Sequence, residues 1–101
     1  MIYLVLPVYN EEGNVSIQLK NLQAIMEKKD LSYRLVVVND GSLDGTPQLL
    51  AEARQRLPMT VITHNTNLGV GAAFRSGLGA ALAEAHDDDV VKVRSEVSEL
   101  P

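Results

Sequence analysis

The sequence predicts an α/β fold in which an open parallel sheet, built as βαβαβαβ, is covered by helices on both faces. Three observations lead there. Four short apolar runs, at residues 2–6, 34–38, 60–63 and 90–93, alternate with longer stretches of helical periodicity. The runs are continuous instead of alternating, as in strands buried on both sides. Repeated strand–helix–strand units then require a parallel sheet with right-handed crossovers, a three-layer arrangement.

Each element has its own signal. After the first run, Val15, Leu19, Leu22 and Met26 recur at helical spacing, and Lys28, Lys29 and Asp30 close that helix. After the second, Thr46 is placed to cap a helix with Pro47 at its first position. Leu49, Leu50, Ala53 and Leu57 form its inward stripe, and Pro58 stops it. After the third, Val70, Ala73, Phe74, Gly77, Leu78, Ala81, Leu82 and Ala85 trace the strongest apolar face of the chain. Gly and Ala on that face imply close approach to the sheet.

Composition narrows the function classes. A chain of 101 residues, 46% apolar and 22% charged, suits one small soluble domain that buries roughly two-thirds of its unfolded surface. Its net charge of −4, with no basic cluster larger than Lys28-Lys29, argues against a nucleic-acid partner. With no cysteine, disulfides and thiolate metal sites are excluded. No apolar run approaches the ~18 residues of a membrane span. The apolar opening lacks a basic region before it and is ended by Pro7, so it reads as a strand and not a signal peptide. The expected compartment is the cytoplasm.

In open α/β sheets ligands bind beyond the carboxyl ends of the strands, so the segments after each run are the candidate site. The first, Pro7-Val8-Tyr9-Asn10-Glu11-Glu12, joins a rigid proline, an aromatic able to stack on a base or sugar, and two carboxylates able to accept from N–H or O–H donors. Taken alone, Glu11 and Glu12 fit better as complements to the positive end of the first helix. The second, Asn39-Asp40-Gly41-Ser42-Leu43-Asp44-Gly45-Thr46, sets Asp40 directly after a buried strand, where it can read a nucleoside. Ser42 and Asp44 are also explained by turn and cap chemistry. The third, ending in Asn67-Leu68-Gly69-Val70-Gly71, opens a glycine-bearing helix whose first N–H groups are able to meet a phosphate, although packing explains it as well. Arg75, one turn in, is a candidate phosphate contact or a solvated residue. His64 and His86 have no partner at ligand spacing and read as structural. Asp87-Asp88-Asp89 precedes the fourth strand and so lies at the opposite sheet edge, as a solvated turn.

Other chemistries lack their signatures. Phe74 stands where a dinucleotide fingerprint needs a small residue, and that segment follows the third strand instead of the first. There is no P-loop lysine, no Ser-His-Asp pattern and no nucleophile elbow. A phosphoacceptor receiver would need an aspartate after the third strand, where Thr63-His64 stands.

Together Leu6-Pro7-Val8-Tyr9-Asn10-Glu11-Glu12, Val37-Val38-Asn39-Asp40-Gly41-Ser42-Leu43-Asp44-Gly45-Thr46 and His64-Asn65-Thr66-Asn67-Leu68-Gly69-Val70-Gly71-Ala72-Ala73 resemble family-2 glycosyltransferases, particularly those acting on polyprenyl or dolichyl phosphate. The resemblance runs from residue 2 to about residue 93. It implies the Rossmann-like half of a GT-A fold. It also implies an enzyme of hexosyltransferase type that passes a sugar from UDP- or GDP-sugar to an acceptor with inversion. Pro7, Tyr9 and Glu11 would border the nucleotide, with Tyr9 near the base, while Val38 and Asp40 would contact the nucleoside. Asn39 stands where many relatives have aspartate.

The family follows its fourth strand with an Asp-x-Asp motif that holds Mg²⁺ or Mn²⁺ against the donor pyrophosphate, because an acidic pocket cannot otherwise hold that group. Here Arg94-Ser95-Glu96 takes its place, which leaves Glu96 as the metal-ligand candidate and weakens the expectation of a metal. The resemblance implies a single, truncated nucleotide-sugar-binding domain over residues 1–101, with no residue assignable as the general base and no transfer activity expected of this chain alone. Two other readings stand beside it: a non-catalytic nucleotide-binding or interaction module, and an inactive fragment. Truncation would also expose the fourth strand as a sheet edge, and self-association through residues 90–93 is expected.

Overall fold

The computed structural model describes residues 1–94. In chain order the elements are β1 (Ile2–Val8), α1 (Val15–Lys28), β2 (Tyr33–Asp40), α2 (Thr46–Arg54), β3 (Met59–His64), α3 (Val70–Glu84) and β4 (Val90–Val93). The strands form one parallel sheet ordered β3-β2-β1-β4, so the order reverses at β1. The predicted α/β architecture is therefore the observed one.

Alternation along β1 and β2 assigns each face its own core. Leu4, Leu6, Val8, Leu35 and Val37 pack with Val15, Leu19, Leu22 and Met26 of α1 and with Leu50 and Ala53 of α2. Tyr3, Val5 and Val36 point the other way, to Ala81 of α3. Continuous burial holds for the two central strands, whereas β3 and β4 are partly exposed edges. In β4, Val90 and Val93 are exposed.

Three strands run further than their apolar stretches. β1 continues through Pro7 to the buried Val8, and β2 reaches Asp40 and β3 reaches His64 because backbone pairing continues after their apolar character ends: Val8 lies opposite Asn39, and Asp40 opposite His64. Pro7 fits inside a central strand for a geometric reason. Val5 accepts from the Arg94 N–H, so residues of Val5's parity turn their backbone toward β4. β4 pairs β1 only from Ile2 to Val5, and the missing N–H of Pro7 therefore falls beyond the pairing.

Two helices differ in detail from expectation. Gly45 occupies the cap of α2 and Thr46 is its first residue; the Thr46 N–H is taken by Asp44 Oδ1 at 2.9 Å, which frees the threonine hydroxyl for the neighbouring loop. On α3 the predicted apolar face divides: Ala73, Gly77 and Ala81 are buried, while Val70, Leu78 and Leu82 are exposed. Close approach to the sheet explains the division. A Cβ at Gly77 would collide with Val5 Cγ1 and stand 3.0 Å from Val38 Cγ2, so only the small-residue line fits beneath the helix.

The acidic turn lies where expected, at the amino edge beside Ile2, the partner of Val90. Asp89 there accepts from the His86 N–H at 2.8 Å. No helix of the described residues is long and apolar enough to cross a membrane.

Candidate functional site

The segments after β1 and β2 are bound to each other by their own side chains. Asn10 takes a left-handed backbone conformation (φ 49°), which asparagine tolerates better than most residues, and so turns the chain sharply after Tyr9. Its N–H donates to Ser42 Oγ at 2.9 Å, and its Oδ1 accepts from the Leu43 N–H at 2.9 Å. The Glu11 N–H donates to Thr46 Oγ1 at 2.9 Å, and the Glu12 N–H to Asp44 Oδ2 at 3.2 Å. Glu12 Oε2 accepts from Gly45 N–H at 3.0 Å, so Glu12 serves the start of α2 and not the first helix. Asp44 sits below its ordinary pKa: burial pushes it up, but hydrogen bonds from Thr46 and the Glu12 N–H outweigh that.

The third segment is held by Asp40. Asp40 Oδ1 accepts from the Leu68 N–H at 2.9 Å, and Oδ2 from the Gly69 N–H at 2.9 Å. The Leu68 and Gly69 amides, which lead into α3, are thus taken by the protein's own carboxylate, while the first N–H groups of the helix itself begin at Val70. Gly41 lets this segment lie against β2: its φ is +74°, and a Cβ there would strike the Thr66–Asn67 backbone. Asp40 is 4% exposed. Burial pushes its carboxyl up, yet the bonds from His64, Leu68 and Gly69 hold it below its ordinary value of 3.8.

Between these segments opens a cleft of about 260 Å³, lined by Pro7, Val8, Tyr9, Glu11, Asp40, Asn67, Gly69, Val70 and Ala73. It lies at the carboxyl edge beside β1, where the strand order reverses, the position at which open α/β sheets bind ligands. Tyr9, one of the lining residues, is 42% exposed. The lining contains two carboxylates and no Lys, Arg or His.

Of the residues singled out from sequence, Pro7, Tyr9, Glu11 and Asp40 are brought together in this cleft. Val38 is not among its lining: its side chain is 0% exposed, packed in the core beneath Gly77, so direct side-chain contact with a nucleoside is corrected to support of α3. Arg75 is also outside the lining. Its Nη1 lies 3.4 Å from where a Cβ on Gly71 would be, over the first turn of α3. Glu96 lies outside the described residues. Among those described, no three His, Cys, Asp or Glu side chains gather to hold a metal ion.

Sequence reasoning read His64 as structural but missed its partners, and did not single out Ser76. His64 Nδ1 is 2.8 Å from Asp40 Oδ1 and its Nε2 is 2.8 Å from Ser76 Oγ, so the fold lines up Asp, His and Ser where no local pattern announced them. The lone clue was that His64 ends an apolar run at the carboxyl edge.

The chain is similar in sequence to several known proteins. The chain is 37% identical over 76 residues to an undecaprenyl-phosphate 4-deoxy-4-formamido-L-arabinose transferase of Pseudomonas fluorescens, covering 73% of this chain and 22% of that protein. It is 30% identical over 101 residues to a prophage bactoprenol glucosyl transferase homolog of Escherichia coli, covering 99% of this chain and 33% of the relative. It is also 37% identical over 81 residues to an uncharacterized protein of Methanocaldococcus jannaschii, covering 80% and 30% respectively. The chain thus spans a third or less of the length of these relatives. Residues 3–91 match the family described as glycosyl transferase family 2, and the chain belongs to that family.

Proposed function

We propose that this chain supplies the nucleotide-binding part of a glycosyltransferase that moves a sugar from a UDP- or GDP-linked donor to an acceptor such as a polyprenyl phosphate, with inversion. The supporting observation is the cleft itself: Pro7, Tyr9 and Glu11 of the first segment and Asp40 at the end of β2 line one opening at the carboxyl edge of the sheet. Its volume falls just below the ~300–1,000 Å³ of complete small-ligand pockets, which suits a nucleoside and not a whole nucleotide-sugar.

Charge sets the orientation. A lining with two carboxylates and no cationic side chain favours the uncharged nucleoside and repels phosphates. The base stacks on Tyr9, Glu11 and Asp40 accept N–H or O–H donors, and the diphosphate points out of the cleft. Mg²⁺ or Mn²⁺, expected for the family, would screen the diphosphate there, with Glu96 the remaining candidate ligand. The polyprenyl-phosphate acceptor rests on the names of the relatives from Pseudomonas fluorescens and Escherichia coli. A cytoplasmic setting accords with a nucleotide-sugar donor.

Calorimetric titration with UDP and GDP, with and without Mn²⁺, tests the reading on wild type and Tyr9→Ala. Saturable binding, roughly tenfold weaker in Tyr9→Ala because stacking contributes about 1–3 kcal/mol, is the expected result. No binding to the folded chain would refute it. Binding indifferent to cation would favour a nucleotide-binding module without transfer.

A second proposal concerns the sheet edge. β4 is the outer strand of the described sheet, with Val90 and Val93 exposed, and such edges pair with other chains. Self-association through β4 is expected as a mass that rises with concentration in light scattering; a constant monomer mass contradicts it.

A further inference from the structure

We infer that His64 is a positioning residue of the cleft, acting through Asp40 to fix the Leu68–Gly69 wall. The inference rests on the nucleotide reading above only for its effect on ligand affinity.

The sheet register sets His64, the last residue of β3, directly beside Asp40, the last residue of β2. An ionised carboxylate only accepts, so Nδ1 carries the proton and donates to Asp40 Oδ1. Nε2 bonds the Ser76 hydroxyl, which donates to a neutral ring and accepts from a protonated one. Both ring nitrogens are therefore committed.

These contacts close a ring. Ser76 of α3 binds His64, His64 binds Asp40, and Asp40 binds Leu68 and Gly69, which lead back into the first residue of α3. The beginning and the second turn of one helix are thereby tied to two strands through one imidazole. Oδ1 takes two donors and Oδ2 takes one, out of about four acceptor positions on a carboxylate. The remaining position is on Oδ2, and Asp40 lines the cleft. By occupying Oδ1, His64 fixes the plane of the carboxylate, and with it the direction of that last acceptor. Ser76 is not a nucleophile in this arrangement. It is outside the cleft lining, and the Leu68 and Gly69 amides that an oxyanion would need already donate to Asp40.

The test compares His64→Leu, His64→Asn and Ser76→Ala with wild type by two readouts. Amide hydrogen exchange at Leu68 and Gly69, against α1 amides as internal control, needs no ligand; UDP and GDP titration reports on the cleft. In His64→Leu, Leu68 and Gly69 exchange and the nucleotide Kd are each expected to rise roughly tenfold, the worth of a hydrogen bond to a charged group, while α1 amides keep their rates. His64→Asn retains a donor near the Nδ1 position and recovers most of the loss. Ser76→Ala shifts both readouts the same way by a smaller factor. Unchanged exchange at Leu68 and Gly69 in His64→Leu, or an asparagine variant no better than leucine, overturns the inference. Should His64→Leu fail to fold, Ser76→Ala decides by the same exchange criterion. If wild type binds no nucleotide, the nucleotide reading falls while the exchange measurement still decides the role of His64.

Discussion

The carboxyl edge of this sheet is held together in two different ways. Between the segments after β1 and β2, five hydrogen bonds cross, each pairing a backbone N–H with a different side chain or site: Ser42, Thr46, Asp44, Asn10 and Glu12. The segment after β3 is joined to that edge by one carboxylate, Asp40, which accepts two of its N–H groups and the His64 imidazole. One side of the cleft is therefore a distributed lattice and the other hangs from a single residue. The distributed side should tolerate individual losses, and the other should not.

The largest effect is expected where the single anchor is removed. Asp40→Ala takes their acceptor from the Leu68 N–H and the His64 imidazole, while the Gly69 N–H keeps Asn67 Oδ1 at 3.0 Å; each part-buried group left unsatisfied costs roughly 1–3 kcal/mol. A loss of about 3 kcal/mol in chemical denaturation is expected; a loss under about 1 kcal/mol would erase the contrast between the two sides. Next is Gly77→Ala, which pushes α3 off Val5 and Val38 and should cost about 1–3 kcal/mol by overpacking. It also displaces the cleft wall that α3 begins, so weaker nucleotide binding should accompany it. Smaller again is Ser42→Ala, one stitch among five, expected to cost about 0.5–1.5 kcal/mol with the cleft retained. A Ser42→Ala effect as large as that of Asp40→Ala would show that the first two loops depend on one contact as the third does.

Acid should separate the same regions most gently. Asp40 and Asp44 both have carboxyls held below 3.8 in the fold. Their contribution is fully present above the unfolded-state value and is lost as pH falls through the lower folded-state value. Stability should therefore be flat in this respect near neutral pH and decline below about pH 4. Asp40→Asn should flatten that decline more than Asp44→Asn does, as read from denaturation midpoints between pH 2 and 5 at ~0.5 intervals. Equal flattening would mean that both regions depend on carboxylates alike.

Much of this architecture was legible in the sequence because burial on both faces leaves continuous apolar runs, and β1 and β2 carry such runs. The strand ends were less legible. Asn39, Asp40 and His64 look like loop residues, yet pairing with neighbouring strands keeps their backbones extended. The exposed side of α3 misled for another reason: periodicity marks Leu78 and Leu82 as inward, but the space under the helix admits only Ala73, Gly77 and Ala81. In the site, Pro7, Tyr9, Glu11 and Asp40 were legible from their places after strands. His64 was legible as structural but its partners were not, since they lie 24 and 12 residues away and are brought together by the β2–β3 register and the packing of α3. Val38 was misread in role because a position beside a ligand loop does not reveal which face its side chain takes.

The most direct test of the central claim, a nucleoside cleft at the carboxyl edge of β1, is amide NMR during titration with UDP and GDP in the presence of Mg²⁺. The account predicts progressive shifts for Val8, Tyr9 and Glu11 and for the segment from Asn67 to Ala73, with the amides of α1 and of the Asp87–Asp89 turn unmoved. Shifts centred anywhere else, or no shifts in a well-dispersed spectrum at millimolar nucleotide, would contradict it.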